Sequence, residues 1–345
     1  MNRNDTCYQN YVKILKEELR PAMGCTEPIA IAYAAAKARA VLGAVPERLL
    51  IEVSGNIIKN VKSVVVPHTG GLRGIPAAAA AVIVGGDADA ELEVLSKVTP
   101  EQIAAMPAFL EQTPIEVRYA ETGHIFDIMV TVYHGVTRIV DYHTNLVRVE
   151  RNGQVLLEKE ITAQLDEGLT DRSCLSIEGI VDFAESVDPE DVRDTLERQI
   201  SYNMAIAAEG LHGNYGANIG KTVLRGREYD INYKMRAWAA ASDARMNGCE
   251  LPVVINSGSG NQGITASVPV IVYARENGIS HENLLRALCV SNLVTTHMKT
   301  GIGRLSAYCG AVSAGVDAGA GIAWLKGGRV EMILSPFPRQ FANSI

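Results

Sequence analysis

The sequence predicts an α+β fold, in which a mostly antiparallel sheet subdomain is joined to a helical domain. Three observations carry this. Between Pro46 and Glu160 lie six segments rich in Val, Ile and Tyr, the residue types that suit a pleated surface. Asn152-Gly153 follows the sixth of them and leads into Gln154–Lys159, a hairpin turn signal that joins neighbouring antiparallel strands. From Ile161 the pattern turns helical to near the end of the chain.

Asp5–Glu18 begins the chain as an amphipathic helix, with Tyr8, Val12, Ile14, Leu15 and Leu19 at helical spacing. Pro21 ends it. Gly24-Cys25-Thr26-Glu27-Pro28 then leads into the alanine-rich run Ile29–Leu42. Thr26 is the expected N-cap, with Glu27 and Pro28 in the first turn. Cys25 therefore stands at a helix N-terminus, where partial positive charge favours the thiolate.

The expected strands are Arg48–Val53, Asn60–Val66, Ile115–Ala120, His124–His134, Thr137–His143 and Leu146–Arg151, with Gln154–Lys159 returning after the hairpin. Ile75–Val84 and Thr99–Glu111 are expected helices between them. Val66-Pro67-His68-Thr69-Gly70-Gly71 precedes the first of these helices, so His68 and Thr69 occupy a place that suits an anion. Ile177–Ser186, Pro189–Gly210, Lys234–Asn247, His281–Val294 and Ala311–Leu325 read as helices. Asp317, a charge within the last, is expected at a solvent edge because burying it alone is costly. Asp243 and Arg245, two residues apart, share no helix face and read as solvated. This organisation sets boundaries at 1–45 for N-terminal helices packing with the helical domain, 46–160 for the α+β subdomain, 161–328 for the helical catalytic domain, and 329–345 for an atypical tail.

The densest polar stretch is Asn256-Ser257-Gly258-Ser259-Gly260-Asn261-Gln262-Gly263, after the apolar run Leu251–Ile255. Glycines free the backbone to turn its N–H groups toward one point, and the serines and amides add side-chain donors. That suits a carboxylate or a phosphate. Gly258, Gly260 and Gly263 also spell G-x-G-x-x-G, but the fingerprint needs a helix next and then a second strand. Ile264–Ala274 contains Pro269 and many β-branched residues, so a nicotinamide dehydrogenase ranks far behind.

Bulk properties exclude several classes. A net charge of −7 and 6% aromatic residues argue against nucleic-acid partners. No apolar run approaches the ~18 residues of a membrane span, and the polar N-terminus is no signal peptide. Six cysteines, Cys7, Cys25, Cys174, Cys249, Cys289 and Cys309, are scattered without a C-x-x-C. They read as reduced thiols of a cytoplasmic protein. Cys309 stands before the small-residue run Ala311–Leu325, again at an expected helix start.

Gly24-Cys25-Thr26-Glu27-Pro28, Asp243-Ala-Arg-Met246, the Ser257–Gly263 loop and Gly303-Arg-Leu-Ser-Ala-Tyr-Cys309-Gly together resemble the L-cysteine desulfidase family, related to the iron–sulfur L-serine dehydratase alpha chain. The resemblance spans about Tyr11 to Gly328. It implies a lyase acting on a small amino-acid substrate, splitting L-cysteine to sulfide, ammonia and pyruvate on a 4Fe-4S cluster. Within it, Cys309 matches a cluster ligand. Cys25 matches a cysteine proposed as the base for the α-proton, with cluster ligation as the alternative role. Ser257, Gly258, Ser259, Gly260, Asn261 and Gln262 would hold the substrate carboxylate, and His68 and Thr69 match a His-Thr-Gly loop near substrate. Two further cluster cysteines of the family, one in a Cys-Asp-Gly-Ala-Lys motif, have no counterpart after Cys309. The chain thus reads as truncated or frame-shifted against that pattern. Dehydration of L-serine, or a protein without turnover that binds a small carboxylate or senses redox, stand as alternatives, and a homo-oligomer is compatible with either.

Overall fold

The computed structural model describes residues 1–161, 169–302 and 310–334. In chain order its elements are α1 (Thr6–Glu18), β1 (Pro21–Met23), α2 (Thr26–Leu42), β2 (Leu49–Val53), α3 (Gly55–Val61), α4 (Gly74–Gly85), α5 (Pro100–Gln112), β3 (Ile115–Tyr119), β4 (Asp127–Val132), β5 (Gly135–Val140), β6 (Leu146–Arg151) and β7 (Gln154–Glu158). There follow α6 (Ile177–Ser186), α7 (Pro189–His212), α8 (Ile219–Leu224), α9 (Ile231–Ala240), α10 (Asp243–Met246), β8 (Pro252–Val254), α11 (Gly260–Glu276), α12 (His281–Ile302), α13 (Gly310–Leu325) and α14 (Val330–Leu334). The α+β class is as expected. The chain forms two compact units, one of Met1–Pro21, Asp166–Arg245 and Leu251–Ile345, the other of Ala22–Leu165 and Met246–Glu250.

The second unit holds a six-stranded sheet in the order β3-β2-β4-β5-β6-β7. Its pairs are antiparallel except β2 with β3, which run parallel. Asn152 and Gly153 both have positive φ, 52° and 79°, as the β6–β7 hairpin requires. The register sets Leu49 opposite Val132, Ile51 opposite Val130 and Val53 opposite Ile128, so the buried apolar residues share one face. Helix α2 packs on β4, β5 and β6. Its alanines leave no bulk, and the buried Thr137 hydroxyl donates to the Ala34 carbonyl at 2.9 Å. Asp127, also buried, takes both guanidinium nitrogens of Arg138 at 3.0 and 2.6 Å, a paired and therefore tolerated interior charge.

The other unit is helical among its described residues, apart from β8. Helix α11 is its centre and packs against α7, α9, α12 and α13. Amides at buried positions bind it together. Gln199 on α7 and Asn292 on α12 exchange two hydrogen bonds of 2.9 and 2.8 Å. Asn203 on α7 donates to the Val254 carbonyl and to Ser267 Oγ, and accepts from the Val254 N–H. Each of these three amides has its partner, which is the condition for such a network to stabilise rather than cost.

Several local expectations are corrected. Asn60–Val66 is not a strand. Gly55–Val61 forms helix α3, because Ser54 leaves the sheet in an extended conformation that starts a helix, and only Val65 makes a bridge, to Arg73. Ile264–Ala274 lies inside α11 despite Pro269, as burial among other helices overrides β-propensity. The helix expected over Lys234–Asn247 breaks between Ala240 and Asp243. Asp317 is not at a solvent edge. It is wholly buried on α13, and neither carboxylate oxygen has a hydrogen-bond partner among the described residues. Burial pushes it up to about 8, against the opposing influence of the Thr295 hydroxyl and the Lys299 charge on α12.

Candidate active site

The residues singled out by sequence fall into two clusters, one in each unit. In the sheet unit the N-cap of α2 is Cys25 itself rather than Thr26. Gly24, at φ +65°, makes the corner before it. A Cβ there would lie 2.7 Å from Pro67 Cγ and 2.8 Å from Cδ. The Gly24–Glu27 corner is thereby pressed against the turn that carries His68, about forty residues away in sequence. Cys25 is buried, and its thiol donates to Glu27 Oε2 at 3.2 Å. Glu27 Oε2 also accepts from the Thr26 hydroxyl at 3.2 Å, and its Oε1 accepts from Asn60 Nδ2 at 3.4 Å. The helix end thus meets a carboxylate placed as a proton acceptor beside the sulfur.

The His68 turn is held by its own backbone. Val66 N–H donates to the Leu72 carbonyl at 2.9 Å, and the buried Thr69 hydroxyl donates to the Val66 carbonyl at 2.6 Å. Thr69 is thus a brace of the turn. His68 has the left-handed φ of 54°, a conformation uncommon among non-glycine residues. Its Nδ1 faces Glu250 Oε1 at 3.5 Å, while Nε2 is buried with no hydrogen-bond partner among the described residues. Gly248, whose Cβ would meet Val65 Cγ1 at 2.5 Å, lets the Met246–Glu250 segment approach.

In the helical unit, Ser257 and Gly258 take consecutive positive φ values of 47° and 81°. They close a tight turn in which Asn256 and Ser259 exchange backbone hydrogen bonds of 3.1 and 3.0 Å. Two backbone donors expected to face a ligand are therefore spent inside the turn, and those of Gly258 and Gly260 stand outside that pairing. Asn256 is anchored to Asn292, donating to its carbonyl and its side-chain oxygen, and the Ser257 hydroxyl donates to Asn256 Oδ1. Ser259 caps α11 by accepting from the Gln262 N–H. Arg245, expected in solvent, is buried. Its Nη1 donates to Asn261 Oδ1 at 2.8 Å, and a Cβ on Gly260 would lie 2.3 Å from its Nε. A buried positive charge and the amino end of α11 thus meet at one turn, which favours a carboxylate. Sequence reasoning missed Arg245, since spacing alone did not show that the helix breaks before Asp243.

The glycines here differ in what they accommodate. A Cβ on Gly263 would lie 2.2 Å from the Val254 carbonyl oxygen, backbone against backbone. Gly263→Ala is expected to cost ~2–4 kcal/mol of stability by urea unfolding, whereas Gly260→Ala, opposed by a side chain that can swing, costs ~1 kcal/mol. Equal small losses for both would show that the Val254–Gly263 approach is loose.

Strand β8, the glycine turn and α11 do follow one another, but no strand follows α11 among the described residues, so no βαβ unit frames G-x-G-x-x-G. A profile described as serine dehydratase alpha chain matches residues 89–339. A UPF0597 protein of Desulfitobacterium hafniense is 56% identical over 341 residues, spanning 96% of this chain and 79% of the relative.

The chain belongs to the serine dehydratase alpha chain family.

Other members agree at similar coverage. A UPF0597 protein of Treponema denticola is 47% identical over 344 residues, covering 96% of this chain and 80% of its own. One of Lachnoclostridium phytofermentans is 50% identical over 341 residues, covering 97% and 82%. No helix among the described residues of this serine dehydratase alpha chain homologue is long and apolar enough to cross a membrane.

Cys309, the expected cluster ligand, lies outside the described residues. Among the described residues no three of His, Cys, Asp and Glu stand together as a metal site would require. The described thiols do not make up the donor set of a 4Fe-4S cluster. Burial pushes Cys289 up to about 12, and burial followed by the neighbouring Cys7 raises Cys174, whereas a cluster takes thiolates.

Proposed function

We propose that this protein is a carbon–sulfur lyase of the L-cysteine desulfidase type, with dehydration of L-serine as the neighbouring activity. The observation that carries the reading is the juxtaposition of Gly24–Glu27 with the His68 turn. It brings a buried thiol, a carboxylate and an imidazole to one corner of the sheet unit. α,β-Elimination needs such a proton acceptor and little else covalent from the protein. Glu27 takes the Cys25 thiol proton, the thiolate takes the Cα proton, and the electron pair of that C–H bond forms the Cα=Cβ bond as HS⁻ leaves Cβ. The resulting enamine tautomerises and takes up water, giving pyruvate and ammonia. The sum is L-cysteine plus water to pyruvate, ammonia and hydrogen sulfide.

In the helical unit the Ser257–Gln262 turn is assigned to the substrate carboxylate. There the Arg245 guanidinium and the amino end of α11 offer preorganised positive potential to a carboxylate. L-cysteine and L-serine differ only in the leaving atom, so the two activities are separated by assay. Anaerobically purified protein given L-cysteine is expected to release sulfide and pyruvate in equal amounts, and faster than it forms pyruvate from L-serine. Pyruvate from L-serine alone would make it a dehydratase. Neither product, with carboxylate binding retained, would leave a binding protein.

A further inference from the structure

The Gln262 side chain is fully buried, and neither its Nε2 nor its Oε1 has a hydrogen-bond partner among the described residues. It stands out in a unit whose other buried amides, Gln199, Asn203, Asn256 and Asn292, are all paired. A buried amide with both ends unused costs stability comparable to lost hydrogen bonds, so its retention asks for a ligand. Gln262 is the third residue of the seventeen-residue helix α11. Helical side chains lean toward the N-terminus, which directs this one back over the Ser257–Ser259 turn.

A carboxylate accepts only, and could use Nε2 but never Oε1. The Oε1 acceptor needs a donor, which an α-ammonium group supplies one bond away from the carboxylate carbon's neighbour. We infer that Gln262 is the specificity-determining residue of this turn, donating through Nε2 to the carboxylate of an α-amino acid and accepting through Oε1 from its ammonium group. This rests on the assignment of the turn to the substrate carboxylate. It adds that the site rejects hydroxy acids and simple carboxylates, since these leave Oε1 unpaired in a buried place.

Calorimetric titration of the full chain with L-serine and with L-glycerate, which carries a hydroxyl in place of the ammonium, tests this. L-serine is expected to bind ~10²-fold more tightly. Gln262→Met, of equal length and without polar atoms, is expected to bring the two ligands within ~3-fold by weakening L-serine. Gln262→Glu keeps acceptors but adds a negative charge beside the carboxylate, and is expected to weaken both ligands at least ~10-fold while preserving the preference for L-serine. Equal binding of the two acids by the parent protein overturns the inference. So does an unchanged ratio in a folded Gln262→Met, or the lack of any amino-acid binding. The failures are separable. Turnover of L-cysteine with an unchanged ratio sinks the role of Gln262 alone, and a Gln262-dependent ratio without turnover sinks the lyase reading alone.

Discussion

Cys25→Ala is expected to lower L-cysteine turnover by about 10²–10⁴-fold, the usual contribution of a positioned general base. The fold should survive, because the Cys25 side chain makes no capping hydrogen bond to the backbone of α2 and the change removes one small buried atom. Glu27→Gln should give a smaller loss, ~10-fold, since the amide keeps the place of Oε2 beside the sulfur but no longer accepts a proton. Iodoacetamide labelling of residue 25 provides a readout apart from catalysis. Its rate should change in Glu27→Gln, as the 3.2 Å contact with a charged acceptor is replaced by a neutral one. Steady-state sulfide release together with melting temperature checks the pair. Cys25→Ala protein that retains more than a third of parental turnover would remove Cys25 from the mechanism.

Asp317→Asn is expected to make stability nearly independent of pH between about 4 and 8. Burial raises the Asp317 carboxyl to about 8, from an ordinary value of 3.8. Between those values the folded protein keeps the proton and the unfolded chain releases it. Stability therefore is greatest below the lower value, falls as pH rises, and levels off above about 8. The loss across the window is of order ~2–5 kcal/mol, at ~1.4 kcal/mol per pH unit as an upper rate. The asparagine variant should match the parent near pH 4 and exceed it by ~2–4 kcal/mol near pH 8.5. Urea unfolding at several pH values measures this. Parallel curves for parent and variant would mean that Asp317 is ionised inside the fold, with Lys299 and Thr295 supplying what it needs.

Much of the architecture was legible because single periodicities decided it. The apolar and β-branched residues of Arg48–Val53 and His124–His134, and the Asn152-Gly153 pair, define strands and a hairpin whatever surrounds them. The alanine run of α2 shows that the helix is buried on most of its surface, and Thr99 followed by Gln102 spells the capping box that starts α5. Less legible were places where two tendencies compete. Ile264–Ala274 carries β-branched residues and a proline, yet burial between α7, α9, α12 and α13 makes it helical. Asn60–Val66 has strand-like valines, yet helix α3 takes their first part because its neighbours leave no free strand edge beside β2, which is already paired with β3 and β4.

The candidate site divides along the same line. Sequence by itself determined the chemical inventory: a cysteine at a helix start, a histidine in a glycine-rich turn, a donor-rich loop before α11, and membership of the serine dehydratase alpha chain family. Those follow from residue identity and local conformational preference, which act over a few positions. Only the tertiary structure decided that Gly24 lies against Pro67, that Glu27 accepts from Cys25, that Arg245 is buried against Gly260, and that the Gln262 and Asp317 polar atoms are buried without hydrogen-bond partners among the described residues. The physical reason is that burial and charge pairing are properties of what packs around a side chain, and the packing partners come from segments tens of residues away.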